Sequence, residues 1–227
     1  MARITLFLDR ETGNLVLEEF DRLPGGLLRG ITELLGRGEV LGCAKPSEVL
    51  PPPPVDEENP TAAVSVRVHG YYHNSVIEGP GRRSSVLLSG CDVGCRGCWV
   101  PHLWSTSSGS LVPVDLLADA LLDPHYQRDG VSILGGEPFM QPAGLLGLVR
   151  ALRERGCPHI LVYTGRTHEG LLAGARSEPA VGAVLDSIDM LIDGPYVEAL
   201  ASGAGPWTGS GNQRVIDMAA MRLAPWG

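Results

Sequence analysis

Short apolar runs alternate along the chain with segments of helical period, most regularly from residue 64 onward. Ser84–Ser89 (SSVLLS) is an apolar run with polar flanks and predicts a buried strand. Val112–Leu122 predicts a helix with Pro113 in its first turn. Val131–Leu134 predicts a strand that stops at Gly135-Gly136. Gln141–Arg155 sets Leu145, Leu146, Val149 and Leu152 on one face and predicts a helix capped by Gly156. His159–Tyr163 predicts the next strand, and helical segments follow near 167–174 and 178–186. Met190–Ile192 predicts a strand ending at Asp193-Gly194, and Arg214–Ile216 a last one. This alternation predicts an α/β fold, a parallel sheet with crossover helices. Polar and glycine residues gather just after the strands, at Gly90-Cys91, Gly135-Gly136-Glu137, Thr164-Gly165 and Asp193-Gly194. That rim is where α/β folds build their sites.

The first 50 residues read differently. Arg3–Asp9 and Asn14–Glu19 predict two strands joined by a turn at Arg10–Gly13. Leu27, Leu28, Ile31, Leu34 and Leu35 then recur at helical spacing between Pro24 and Gly36. The expectation is a small ββα extension over 1–50, a linker over 51–63 and a core over 64–227. Prolines stiffen the linker (PPPPVDEENP) and acids keep it solvated.

Composition narrows the classes. The chain has 227 residues, 44% hydrophobic and 19% charged, which excludes whole-chain disorder. No apolar run reaches a bilayer span, and the N-terminus does not read as a signal peptide, so a cytoplasmic protein is expected. A net charge of −8 argues against a broad nucleic-acid surface.

Five cysteines, at 43, 91, 95, 98 and 157, make a disulfide framework a poor reading. Cys91, Cys95 and Cys98 form C-x3-C-x2-C on a loop directly after a strand. Thiolates suit zinc or iron–sulfur clusters. A closed zinc site needs a fourth ligand, for which His102 is the nearby candidate. Three thiolates on a four-iron cluster would instead leave one iron open to a small molecule. Three unrelated buried thiols are the plain alternative. Cys43 and Cys157 read as ordinary thiols. Gly135-Gly136-Glu137-Pro138 follows a strand as well, and its glycines admit close approach to backbone. Glu137 offers a carboxylate to a ligand ammonium, or is merely exposed on a turn.

These motifs resemble those of the radical S-adenosylmethionine (SAM) enzymes. Further blocks follow in order: Gly70–Tyr72, Ile77–Arg82, Leu88–Cys91, Gly97–Trp99, Gly135–Phe139, Tyr163–Gly165, Leu191–Tyr196 and Gly209–Arg214. Together they are similar to the activating proteins of anaerobic ribonucleoside-triphosphate reductases and, more distantly, to the pyruvate formate-lyase activating enzyme. The resemblance spans roughly residues 67–218. It implies a partial, open TIM-like β/α barrel. It implies a [4Fe-4S] cluster on Cys91, Cys95 and Cys98, with SAM on the fourth iron. Gly97, Trp99, Gly135, Gly136 and Glu137 would face SAM. Gly81 and Arg82, in a glycine-rich turn, and Asp193 on the rim would lie beside the site. Asn212 is more readily a turn residue. Reductive cleavage of SAM would give a 5′-deoxyadenosyl radical for a glycyl-radical enzyme, with a flavodoxin or ferredoxin as electron donor. Three departures stand out: an extension of about 60 residues with no counterpart, Gly211 where a second serine is usual, and His73 before the turn. The extension leaves room for a maturase or modifying enzyme acting on a peptide or small molecule. A non-enzymatic zinc or electron-transfer module is the remaining reading.

Overall fold

The structure, a computed structural model, describes residues 6–8, 15–17, 48–54 and 64–223. The chain forms two units, Met1–Glu48 and Val49–Gly227. In the first, β1 (Leu6–Leu8) pairs antiparallel with β2 (Leu15–Leu17), with Phe7 opposite Val16. The helix expected around Leu27–Leu35 and most of the expected linker lie outside the described residues.

The second unit is one seven-stranded sheet with helices packed against it. Its elements are β3 (Ser65–Ser75), β4 (Arg83–Leu88), β5 (Ser110–Pro113), α1 (Val114–Leu121), β6 (Gly130–Gly135), α2 (Pro142–Glu154) and β7 (Ile160–Tyr163). Then follow α3 (His168–Gly174), α4 (Pro179–Ser187), β8 (Met190–Asp193), β9 (Arg214–Asp217) and α5 (Met218–Leu223). The strand order is β5-β3-β4-β6-β7-β8-β9. The four inner strands β4, β6, β7 and β8 are parallel, as the strand–helix alternation predicts. The flanking strands β3, β5 and β9 run antiparallel to their neighbours. The sheet is mixed and open-ended, not wholly parallel. Pro113 ends β5 and caps α1, so the expected helix begins two residues late.

Alternation along the inner strands divides the sheet into two faces. Val86, Leu88, Val131, Ile133, Ile160, Val162 and Leu191 join one core cluster with Leu117, Leu121, Leu145, Leu148, Leu152 and Leu185 of the helices. Each such leucine cut to alanine costs about 2–5 kcal/mol, so this cluster carries most of the fold's stability. Gly156, at φ +77, closes α2 in the left-handed region.

The opposite face sets polar side chains among apolar ones such as Leu161 and Ile192. Register sets Tyr72 opposite Ser85, and Ser85 opposite Ser132. Arg83 is fully buried there. It donates to Ser132 Oγ at 2.5 Å, Val131 O at 2.7 Å and Pro80 O at 3.1 Å. Tyr72 donates to Glu78 Oε1 at 2.7 Å, while Glu78 Oε2 and Ser85 Oγ find no partner among the described residues. Burial pushes the Glu78 carboxyl up to about 7 against the pull of that hydrogen bond. The folded chain therefore holds this proton more tightly than the unfolded chain, and stability falls as pH rises from about 4.5 to 7. Glu78→Gln is expected to raise stability at pH 8 by about 2–3 kcal/mol and to change it little at pH 5. Urea unfolding of both proteins at the two pH values checks this.

His73, the unusual residue before the turn, is buried between strand and loop. Its ring stacks on Tyr126 at 3.9 Å and its Nδ1 lies 2.8 Å from Ser84 Oγ. Burial, then the Arg128 guanidinium, brings its pKa down to about 4. The stability contributed by neutral His73 is complete above pH 6.5 and is lost as pH falls toward 4, by up to about 3 kcal/mol. His73→Phe, which keeps the stack, is expected to flatten that acid loss in denaturation midpoints taken at pH 7 and 4.5.

Candidate metal and cofactor site

The cysteine loop leaves the carboxyl end of β4, a central strand. Its start is fixed by main chain: Gly90 N donates to Leu103 O at 2.8 Å and Cys91 N to Trp104 O at 3.0 Å. Cys98 N donates to Cys95 O at 3.2 Å, closing a turn between the last two cysteines. Gly94 and Gly97 sit at φ +60 and +74, which glycine adopts without strain. A side chain at Gly97 would also strike the Glu198 carboxylate, 2.8 Å from its Cβ.

All three thiols are half-buried. Burial raises the Cys95 thiol pKa, a hydrogen bond from the Tyr196 main chain lowers it, and Cys98 and Cys91 raise it again. The three sulfurs therefore lie within electrostatic reach of one another. Among the described residues no three His, Cys, Asp or Glu side chains are gathered about a point as a single metal ion requires. His102 is exposed on the Pro101–Leu103 turn, with its ring against His69 at 5.3 Å. A closed zinc site with His102 as fourth ligand is thus not formed. Three soft donors on one loop, with no fourth protein ligand among the described residues, fit a cluster that keeps one iron open.

The loop after β6 is bonded to the cysteine loop. Gly136 N donates to Leu88 O and Glu137 N to Gly90 O, both at 2.8 Å. A Cβ at Gly136 would lie 2.1 Å from Gly90 O, and one at Gly135 2.3 Å from Leu88 N. These glycines permit two backbones to meet. The amides of Gly136 and Glu137 are spent on protein carbonyls.

Glu137 also departs from expectation. It is fully buried and accepts from Phe139 N at 2.9 Å, Gly165 N at 2.8 Å and Thr164 Oγ1 at 2.9 Å. Burial raises its pKa, and those donors pull it down. Its carboxylate ties the ends of β6 and β7 together and does not face a ligand. Asp193 likewise is buried and fully engaged. It accepts from His168 N at 2.7 Å and from Arg214 through each of its oxygens, so it serves the start of α3 and the Arg214 pair.

Gly81 and Arg82 require a larger correction. They precede β4, whose six residues span about 20 Å, so they sit at the end opposite the cysteine loop. There Arg82 N donates to Asp129 at 2.7 Å, and a Cβ at Gly81 would meet the same carboxylate. Cys157 lies at that far end too, buried against His159 O.

Sequence reasoning did not single out several residues that shape the loop. Arg166 donates to Asp92 at 2.8 Å, and Val93 packs on Gly165. Tyr196, in the loop after β8, lies 5.7 Å from the Trp99 ring. Four strand-end loops thus meet at one rim: 90–99, 135–137, 164–166 and 194–198.

A family model described as a 4Fe-4S single cluster domain matches residues 77–216. The anaerobic ribonucleoside-triphosphate reductase-activating protein of Vibrio cholerae is 35% identical over 153 residues, 64% of this chain and 94% of that protein. Its namesake in Escherichia coli strain K12 is 33% identical over 154 residues, 65% of this chain and 96% of that protein. The pyruvate formate-lyase-activating enzyme of Clostridium pasteurianum is 31% identical over 94 residues, 40% of each chain. With a cysteine loop seated at the end of a central parallel strand and a match running nearly the full length of these relatives, the chain belongs to the family of anaerobic ribonucleoside-triphosphate reductase-activating proteins.

Proposed function

We propose that the chain is a radical SAM enzyme that activates a glycyl-radical enzyme, such as an anaerobic ribonucleotide reductase. The observation that carries this is the C-x3-C-x2-C loop at the carboxyl end of β4, bonded through main chain to the Gly135-Gly136-Glu137 loop. In this reading Cys91, Cys95 and Cys98 hold a [4Fe-4S] cluster and leave one iron to SAM. Bound and reduced, the cluster would supply one electron to the sulfonium; its S–C5′ bond would break to methionine and a 5′-deoxyadenosyl radical, which would take a hydrogen atom from a glycine of the partner. The chain's own tasks are to seat the thiolates, hold the glycine loop beside them and limit access of water. The parallel strands form part of a β/α barrel with an open side. Trp99, Trp104 and Met140, 52%, 39% and 40% exposed, surround the loop and suit the docking of a protein. A flavodoxin or ferredoxin is the expected electron donor. Among the described residues no helix is long and apolar enough to cross a membrane.

Anaerobic reconstitution with iron and sulfide, followed by reduction with SAM, is expected to yield 5′-deoxyadenosine. Addition of an anaerobic ribonucleotide reductase is expected to give a glycyl-radical EPR signal. Cluster-loaded, reducible protein that forms no 5′-deoxyadenosine overturns the enzymatic reading, and one bound zinc without sulfide does the same. The family model begins at residue 77, leaving the first unit outside it. That favours, as a second reading, a peptide or small-molecule target. It is supported if 5′-deoxyadenosine forms but the reductase stays without a radical.

A further inference from the structure

Four side chains of the segment Gly209–Arg214 (GSGNQR) reach the end of β8 and the loop that follows it. β8 and β9 pair antiparallel as far as Asp193 opposite Arg214. Beyond that point the main chains part and side chains continue the ladder. Arg214 donates to both oxygens of Asp193. Gln213 Nε2 donates to Gly194 O at 3.0 Å, while its Oε1 accepts from the Gly209 and Ser210 amides at 2.7 and 3.2 Å. Asn212 Nδ2 donates to Pro195 O at 2.7 Å, and its Oδ1 accepts from Ser210 Oγ at 2.8 Å. The fully buried Ser210 accepts from Val197 N through its Oγ at 3.1 Å.

Residues 193, 194, 195 and 197 are each hydrogen-bonded to one residue of the segment; Tyr196 is not, and its ring rests on Gly209. Tyr196 also reaches the cysteine loop. Its main chain lies beside the Cys95 thiol, and its ring lies against Trp99. Loop and cysteines meet again where Gly97 abuts Glu198.

We propose that Ser210, Asn212 and Gln213 are positioning residues that clasp the 194–197 loop and so aim the Tyr196 N–H at the sulfur of Cys95. The geometry stands by itself; the chemical consequence rests on the reading of Cys95 as a cluster ligand. Hydrogen bonds to ligand sulfur favour the reduced, more negative cluster, so a loosened clasp shifts the reduction potential downward.

The test uses the full chain with Gln213→Leu, Asn212→Leu and the milder Gln213→Glu, which keeps the acceptor for Gly209 and Ser210 and loses the donation to Gly194. Amide hydrogen exchange over residues 194–198 is expected to quicken at least about fivefold in the leucine variants, as loss of one net hydrogen bond implies. Exchange over 131–134 is expected to stay as in the parent. In cluster-loaded protein, redox titration followed by EPR is expected to give a more negative midpoint in all three variants, least in Gln213→Glu. Arg153→Ala, which removes bonds to Ser187 and Asp189 on the helical side, is expected to lower stability without moving the midpoint. Should the leucine variants not fold, Gln213→Glu decides both readouts. Parental exchange over 194–198 overturns the clasp. Faster exchange with an unchanged midpoint overturns the positioning role. A parent chain that takes up no iron sinks the cluster reading, while the exchange arm still judges the clasp.

Discussion

Cys95→Ala is expected to abolish reductive cleavage of SAM while leaving the fold intact. Cys95 stands between the other two thiols, half-buried and under the Tyr196 main chain. Without it the loop offers two thiolates, too few to hold a four-iron cluster that keeps a single open corner. The loss should exceed about 100-fold, the upper end of what altering a supporting group around a metal costs. The fold survives because the loop is anchored by Gly90, Cys91 and Glu137 main chain, not by the thiol. Iron and sulfide content, 5′-deoxyadenosine formation and far-ultraviolet circular dichroism together check this. Cys157→Ala, at the far end of β7, is expected to keep the cluster. A Cys95→Ala protein that still cleaves SAM would remove the site from this loop.

Glu137→Ala carries the largest expected cost in stability. The carboxylate is buried and gathers donors from Phe139, Gly165 and Thr164. Alanine leaves all three without an acceptor, each worth about 1–3 kcal/mol when buried. Part of that returns as water enters, so the net loss is about 3–5 kcal/mol. Glu137→Gln keeps one acceptor oxygen and should lose about 1–2 kcal/mol. Because Glu137 fastens the glycine loop to Thr164, SAM affinity should fall in the alanine variant even below its unfolding temperature. Urea unfolding and equilibrium SAM binding to cluster-loaded protein measure the two effects. A loss under about 1 kcal/mol would mean the carboxylate is not the tie described.

The parallel strands were legible because each is a short apolar run. β4, β6, β7 and β8 are buried on both faces or nearly so, and α2 shows its apolar stripe openly. β3 was not read as a strand. Its alternation of buried Val66, Val68, Gly70 and Tyr72 with Arg67, His69 and Tyr71 offers no continuous apolar run, and buried His73 breaks the period. The cysteine loop was legible because its ligands are adjacent in sequence. Gly81 and Arg82 were misplaced because nearness to β4 in sequence does not say which end of the strand a residue occupies. The inward turn of Glu137 was hidden for another reason: its partner Thr164 lies 27 residues away on the next strand. The Gly209–Arg214 ladder likewise exists only through the β8–β9 register.

The amides at the start of the cysteine loop, and those of the glycine loop beside it, are bonded to main-chain carbonyls of the sheet and the 101–104 turn. The main chain of both loops is thus held by the sheet and not by the thiols. Changes confined to the thiols are therefore expected to leave the backbone path of both loops in place.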